Sequence, residues 1–441
     1  MTRPLPHRPR LADFAMLRRH WIEGIETFAL HDSRAGALLL LDRSAFEVVL
    51  ASDGTRDVAG VRKAASRTLG AVTEERVRAV LDALHTEQLL TDDAEEPELE
   101  QELANASERA LVRLPGYLFH CSGVGHCCAQ YASIPLTRDD FLRARRAGLA
   151  GGDSDHVVLP LYGSNFGGRL AMTLVNGQCL QLGGDRRCGL HLRGGAEAKP
   201  TGCAAFPATL VDDGIDVRVT PALECDCVFA SRGNDAPDHV ELLTGYQTLR
   251  SLPEGLAVRR LPDTIHVNDE LTASPAQLSA WSREEAQLVP EESAPMHAIN
   301  LARRLEKAGL ASSGVVLQES SVHLALAIRD LAAHMATAAE AAAAWRSPRD
   351  RTRIVRERVR DAAAALSGDT LTATLADTSF AADEAFALRT AIFGHQLAGG
   401  APLHRALVGF AAELIVARRL KTVAPELGHP IAAVHAAVRG G

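Results

Sequence analysis

The chain has 441 residues, of which 46% are hydrophobic and 23% charged, with a net charge of −8 and an isoelectric point near 6.1. That length exceeds one ordinary core and points to about two or three domains of a folded, soluble kind. The acidic balance and the 4% aromatic content argue against nucleic acid or an anionic membrane as partner.

The opening MTRPLPHRPRLADF has arginines but no apolar stretch or small-residue cleavage pattern after it, so no signal peptide is expected. Apolar runs such as ALLLL at 37–41 fall far short of the roughly 20 residues that cross a bilayer. A cytoplasmic location follows as the expectation. There, clustered cysteines hold metal or do redox work more often than they pair as disulfides.

Residues 1–91 form the first segment. IETFALHD and GALLLLD predict two strands separated by the turn-prone DSRAG, with Gly36 available for positive φ. Ser44 and Glu47 predict a capping box opening the helix SAFEVVLAS, which Asp53-Gly54 closes. Two more helices are predicted over 57–69 and 73–84, the second with Val77, Val80, Leu81 and Leu84 as one apolar stripe. A hairpin followed by three short helices is a winged-helix arrangement.

The run from Leu38 to Leu90 resembles the small peptide chaperone of pyrroloquinoline-quinone biosynthesis, the PqqD-like or RiPP recognition element. The resemblance covers residues 18–91, with Asp53-Gly54-Thr55 and the closing Leu89-Leu90 as its most recognisable parts. It implies that a precursor's leader peptide adds as a strand to the hairpin edge and packs on the third helix. The contact residues implied are Ala37, Leu38, Leu39 and Leu40 on the strand and Val77, Val80 and Leu81 on the helix. A generic winged helix used for dimerisation or DNA is the alternative, and the acidic balance disfavours DNA.

An acidic linker is expected over 92–112, then a cysteine segment over 113–232 and a connecting region over 233–289. In the connector, Pro237, Pro253, Pro262 and Pro275 mark turns, with AVRRL and TIHVN as candidate strands. Residues 290–441, rich in Ala, Leu, Arg and Glu at helical spacing, predict a helical bundle. The fold class expected is α+β multidomain: a winged helix, a loop-dominated cysteine domain and a helical domain.

All eight cysteines, Cys121, Cys127, Cys128, Cys179, Cys188, Cys203, Cys225 and Cys227, fall within about a quarter of the chain. Thiolates select zinc, copper(I) or iron–sulfur clusters, and four of them close a tetrahedral site or hold a cubane. Close pairs in CSGVGHCC and CDC supply two ligands from one turn; Cys179, Cys188 and Cys203 stand in glycine-rich loops that can bend around an ion. A disulfide framework and a catalytic cysteine beside His120 or His126 are the other readings, and the crowding of thiols favours ligation over both.

The order of these cysteines resembles the YkgJ-type cysteine-cluster family, whose pattern is C-x-x-C-x-x-C-C, G-x-C-x-x-L, a later C, and C-x-x-(F/Y)-P. Cys121, Cys127 and Cys128 are in register, followed by NGQCLQL, Cys188 and CAAFP at 203–207. Val124 stands where the second cysteine belongs, so Cys225, Cys227, His126 or His191 is needed as a replacement. ALECDC at 222–227 and FALRTAIFGHQLAGG resemble the flagellin lysine-N-methylase branch of that family. This resemblance implies an S-adenosylmethionine-dependent lysine methylase of a protein or peptide, with a 4Fe-4S cluster or zinc. Structural zinc in a non-catalytic peptide-delivery protein is the rival reading, and a metal chaperone is disfavoured by the chain's length.

No glycine-rich dinucleotide loop, Walker loop, H-E-x-x-H or G-x-S-x-G is present, which excludes an ordinary Rossmann methyltransferase. His323, Asp330 and His334 read as a solvated helix face, and DSDH at 153–156 as a turn. The combined expectation is a peptide-modifying protein in which the N-terminal module captures the substrate and the cysteine segment carries the inorganic centre.

Overall fold

A computed structural model of the chain describes residues 5–12, 15–32, 37–91, 108–130, 134–148, 158–160, 170–172, 174–232, 246, 249–252, 258–311 and 322–439. It is an α+β protein with several small sheets and a helical C-terminal portion. DSDH at 153–156, Gly36 and the side chain of His323 lie outside the described residues. Asp330 and His334 are exposed while Leu324, Ile328 and Met335 on the same helix are buried, as a solvated polar face requires.

The strand Ile25–Asp32 pairs antiparallel with Ala37–Leu41, as the sequence predicts. Its other side pairs with a strand absent from the sequence reading, Ala15–Ile22, through a tight turn at Glu23 and Gly24, both at positive φ. Arg18, Arg19 and His20 break the apolar alternation that would announce that strand. Helices follow at Arg43–Ala51, Val58–Leu69 and Glu74–Thr86. Asp57 and Thr73 cap the last two, but the box expected at Ser44 does not form. Asp42, two residues earlier, accepts the Ala45 amide at 2.8 Å and the Ser44 hydroxyl at 2.7 Å, so the free amides are already satisfied. Glu47 is buried instead and pairs with Arg43 at 3.0 Å.

Val77, Val80, Leu81 and Leu84 form the predicted stripe and pack with Phe46, Val48, Val49 and Val61 in one closed core. The helix face expected to receive a peptide is therefore filled by the unit's own side chains, and Val77, Val80 and Leu81 are core residues. Leu39 and Leu40, 37% and 48% exposed, remain at the surface.

The N-terminal sheet does not end with its own segment. Val175 pairs parallel with Trp21, and the hairpin of Leu174–Val175 and Gln178–Cys179 extends the sheet. The strand order is thus 178–179, 174–175, 15–22, 25–32 and 37–41. Asn176 and Gly177, both at positive φ, make the turn, and Asn176 Oδ1 accepts the Glu23 amide at 2.8 Å.

A second sheet runs in the order Arg259–Arg260, Ala208–Asp212, Val217–Pro221, Leu111–Arg113. The expected linker to residue 112 thus ends before Leu111. The expected boundaries at 233 and 290 are likewise crossed: Arg259–Arg260 is a strand of this sheet, and Leu278 on the helix Pro275–Glu285 joins the core of the C-terminal helices. A small third sheet joins Pro135–Leu136, Leu170–Met172 and Val158–Pro160.

From residue 290 the described residues are helical or connecting, with helices at 294–308, 322–345, 351–364, 368–376, 381–393, 403–423 and 430–439. Leu403–Val423 is central: Leu407, Phe410, Leu414 and Ile415 are buried, and it packs on the helices 294–308 and 322–345. Among the described residues no helix is long and apolar enough to cross a membrane.

Three cores result. The first is N-terminal, the second runs from Leu114 to Ala437, and the third is a small one from Ile134 to Ala198. All the cysteines but Cys127 divide between the second and third.

Candidate metal centre

Cys121, Cys127 and Cys128 lie on a loop bent by Gly123 and Gly125, at φ +73° and +69°. Gly125 is required twice over, since a Cβ there would meet the Arg186 carbonyl oxygen at 2.6 Å. The loop ends in one 3₁₀ turn, His126–Ala129, which places the Cys127 and Cys128 sulfurs 4.0 Å apart. Cys179 closes the short hairpin that extends the N-terminal sheet. Beyond it the chain folds back tightly: the Leu182 amide donates to the Cys179 carbonyl at 2.9 Å, the Gly189 amide donates to Gln181 at 2.7 Å, and Leu182 bridges to Cys188. Cys203 lies on the short helix Thr201–Ala205, and Cys225 and Cys227 open the helix Asp226–Ala230.

All eight are free thiols and none is fully exposed. Cys227 is the hub of one group: the Cys121 and Cys225 thiols flank its sulfur, and Ser122 Oγ lies 3.1 Å from it. Cys179, Cys188 and Cys203 neighbour one another in a second group, and Cys127 and Cys128 stand between the two. The sulfurs that neighbour Cys121 thus come from about 100 residues downstream, and His126 Nδ1 hydrogen-bonds Asp226.

Such crowding opposes ionisation. Hydrogen bonding to Cys227, together with burial, pushes the Cys121 and Cys225 thiols well up, while Cys227 is drawn well down by the hydrogen bonds from Cys121, Cys225 and Ser122. The Cys128 thiol and burial push Cys127 up. Burial raises Cys179 to about 12, against the pull of the Gln181 and Leu182 amides. Burial raises Cys203 too, with Lys199 working weakly against it.

Several sulfurs already accept backbone N–H groups: Cys121 from Gly123, Cys225 from Cys227, Cys227 from Ser122, and Cys179 from Gln181 and Leu182. Amides aimed at sulfur are the outer support that metal-bound thiolates need, and a soft cation is the partner that lets neighbouring thiols ionise together. The donor set therefore suits zinc or an iron–sulfur cluster. Among the described residues, no three His, Cys, Asp or Glu donors are gathered at the spacing of a bound ion.

A cleft of about 550 Å³ opens beside the first sulfur group, with Ser122, Val124 and Asp226 on one side and Phe380, Lys421 and His429 on the other. The His429 ring stacks on Phe229 at 3.9 Å and 3°, and its Nε2 lies 3.3 Å from Asp383. Its amide donates to Asp226 at 2.9 Å, and its buried Nδ1 has no hydrogen-bond partner among the described residues. Burial would raise Asp383, but His429 and Arg232 hold its carboxyl below the usual range. Gly428, at φ +92°, lets the chain pass within contact of Asp226. Lys421 Nζ sits 4.2 Å over the Phe380 ring. None of His429, Asp383, Phe380 or Lys421 carries a motif, which is why the sequence reading omits them.

Ala37–Leu41 is the outermost strand of the five-stranded sheet, with the helix Val322–Trp345 approaching it. Leu39 and Leu40 are exposed there, and the side chains of Ala37 and Leu38 lie outside the described residues. No family model matches the chain, and no curated protein or solved structure matches it either.

Proposed function

We propose that the chain is a metal-thiolate protein that modifies a peptide or protein substrate, in the manner of an S-adenosylmethionine-dependent lysine N-methylase. The N-terminal unit, read as a winged helix, holds the substrate's leader at the edge Ala37–Leu41 by strand addition. The observation that carries this reading is the cleft at the sulfur group, where Ser122 touches both the Cys227 sulfur and the open space. Its volume of about 550 Å³ falls in the range of small-molecule sites. Cys121, Cys127, Cys128, Cys179, Cys188, Cys203, Cys225 and Cys227 would hold the metal or 4Fe-4S cluster, which supplies a Lewis-acidic or redox centre when bound. His429, stacked on Phe229 and paired through Nε2 with Asp383, lines the cleft, and this His–Asp pair is the proton acceptor offered to an amine substrate. Holding the peptide on the same chain raises its local concentration at the cleft.

The position of the sulfurs between two cores supports a second reading, in which zinc staples the fold and the protein delivers the peptide without catalysis. Anaerobic purification separates the two. Iron and sulfide with absorbance at about 400 nm favour the cluster, and zinc alone favours the staple. Incubation of the loaded protein with methyl-labelled S-adenosylmethionine and a precursor peptide encoded beside this chain is expected to label the peptide. Absence of label from every such peptide overturns the enzymatic reading.

A further inference from the structure

We propose that Asp226 is a positioning residue of the cleft: its carboxylate ties the loop that begins at Cys121 to the segment that carries His429, so that the place of His429 depends on that loop. The inference rests on the reading of His429 as part of the cleft's proton acceptor and deepens it by naming what sets that ring in place.

The two oxygens of Asp226 have separate partners. Oδ2 hydrogen-bonds His126 Nδ1, on the 3₁₀ turn His126–Ala129 that ends the loop. Oδ1 accepts the His429 amide at 2.9 Å, just ahead of the helix Pro430–Arg439. The His126 and Asp226 side chains are only 14% and 12% exposed, so water competes poorly for these bonds, and a charged acceptor holds an N–H more strongly than a neutral one.

The approach depends on Gly428. At φ +92° it lays bare backbone against the carboxylate, and a Cβ there would meet Asp226 Oδ1 at 2.9 Å. On the other side of Gly428, buried Leu427 is held through its carbonyl by Arg351. The segment is thus pinned twice, at Leu427 by the helix Arg351–Ala364 and at His429 by Asp226. Loss of the second pin releases His429 from its registry with Phe229 and Asp383, while the first keeps the segment in place. Ser122 and Val124, on the same loop as His126, line the opposite wall of the cleft, so a shift of that loop alters both walls together.

The test is amide hydrogen exchange on the full chain, resolved to single amides by mass spectrometry. In the wild type the His429 amide is expected to exchange at least about tenfold more slowly than an unprotected amide; exchange at the unprotected rate overturns the tie without recourse to any variant. Asp226→Ala is expected to speed exchange at His429 by about tenfold or more, with the amides of Leu403–Val423 unchanged. Asp226→Asn keeps an oxygen to accept the amide and should stay close to the wild type. His126→Ala, which removes the partner of the other oxygen, is expected to speed exchange at His429 as well. An unchanged rate in Asp226→Ala, an equal rise throughout the chain, or no response to His126→Ala overturns the proposal. If Asp226→Ala fails to fold, the wild-type rate and His126→Ala decide the matter. In label transfer, Asp226→Ala should lower kcat by about tenfold or more with KM little changed, and Asp226→Asn should restore most of it. A wild type that transfers no label overturns the proton-acceptor reading, while the exchange rates still decide the tie.

Discussion

The carboxylate of Asp350 lies against the Cα of Gly177, in the space that a Cβ would need. It cannot step aside, because it caps the helix Arg351–Ala364 by accepting the Thr352 amide at 2.8 Å and pairs with Arg346 at 2.9 Å. Gly177 also has φ +77°, a backbone shape that a side chain strains. Gly177→Ala is expected to cost about 2 kcal/mol or more and to weaken zinc binding at Cys179, two residues on. Urea titration and a zinc competition assay check the two effects. Gly177→Ala with Asp350→Ala should lose less than the two singles together.

Glu413 and His435 face each other at 3.3 Å among the C-terminal helices. Burial raises the Glu413 carboxyl from 4.5 to about 7 and holds His435 well below 6.5. Between about pH 4.5 and 7 the folded chain keeps a proton on Glu413 that the unfolded chain has released, so this residue's contribution falls as pH rises through that window. His435 acts in the opposite sense, with stability lost as pH drops below 6.5 because the unfolded imidazole gains a proton. Glu413→Gln removes only the first effect. Its stability should match the wild type near pH 4.5 and exceed it by up to ~3 kcal/mol at pH 8. A pH-independent difference between the two urea curves would contradict this.

Arg418 donates to both oxygens of buried Glu384, at 2.6 Å and 2.7 Å, and to the Leu375 carbonyl at 2.9 Å. Removing one partner strands a charge in the core. Glu384→Ala is expected to destabilise the protein by about 3–5 kcal/mol, whereas Glu384→Leu with Arg418→Met should cost clearly less. Equal losses in denaturant titration would show that the pair contributes by attraction alone.

His429→Phe preserves a ring to stack on Phe229 and deletes both ring nitrogens. It should leave metal content and melting temperature nearly unchanged while lowering label transfer by about 100-fold or more. Unchanged transfer removes His429 from the chemistry.

Replacing exposed Leu39 and Leu40 by Asp should weaken leader binding by about tenfold or more, measured by fluorescence anisotropy with a labelled peptide, with circular dichroism unchanged. A peptide that binds equally well to this variant does not use the edge.

What the sequence disclosed was local. Asp57 and Thr73 announce their helices because a side-chain cap acts within three residues, and the stripe from Val77 to Leu84 announces its buried face. Long-range pairing left no such trace. Trp21 and Val175 lie 154 positions apart in the numbering, and nothing in either segment names the other. The crowding of the cysteines into one segment was legible as composition, yet the gap at Val124 could not decide among Cys225, Cys227, His126 and His191, since their approach to Cys121 depends on how the second sheet turns the chain back. The third helix shows a further limit: an apolar stripe looks the same whether a peptide or the chain's own core covers it, and here Val77, Val80 and Leu81 pack in the core.

The parallel contact between Trp21 and Val175 makes one continuous sheet out of the outer strand Ala37–Leu41 and a sulfur-bearing turn. A leader strand seated beside Ala37–Leu41 would lie five strand spacings from Gln178–Cys179, or about 24 Å at the usual interval. An extended chain needs at least about seven residues to cover that span. The sheet thus acts as a ruler that fixes how far a strand added at this edge would lie from the Cys179 turn.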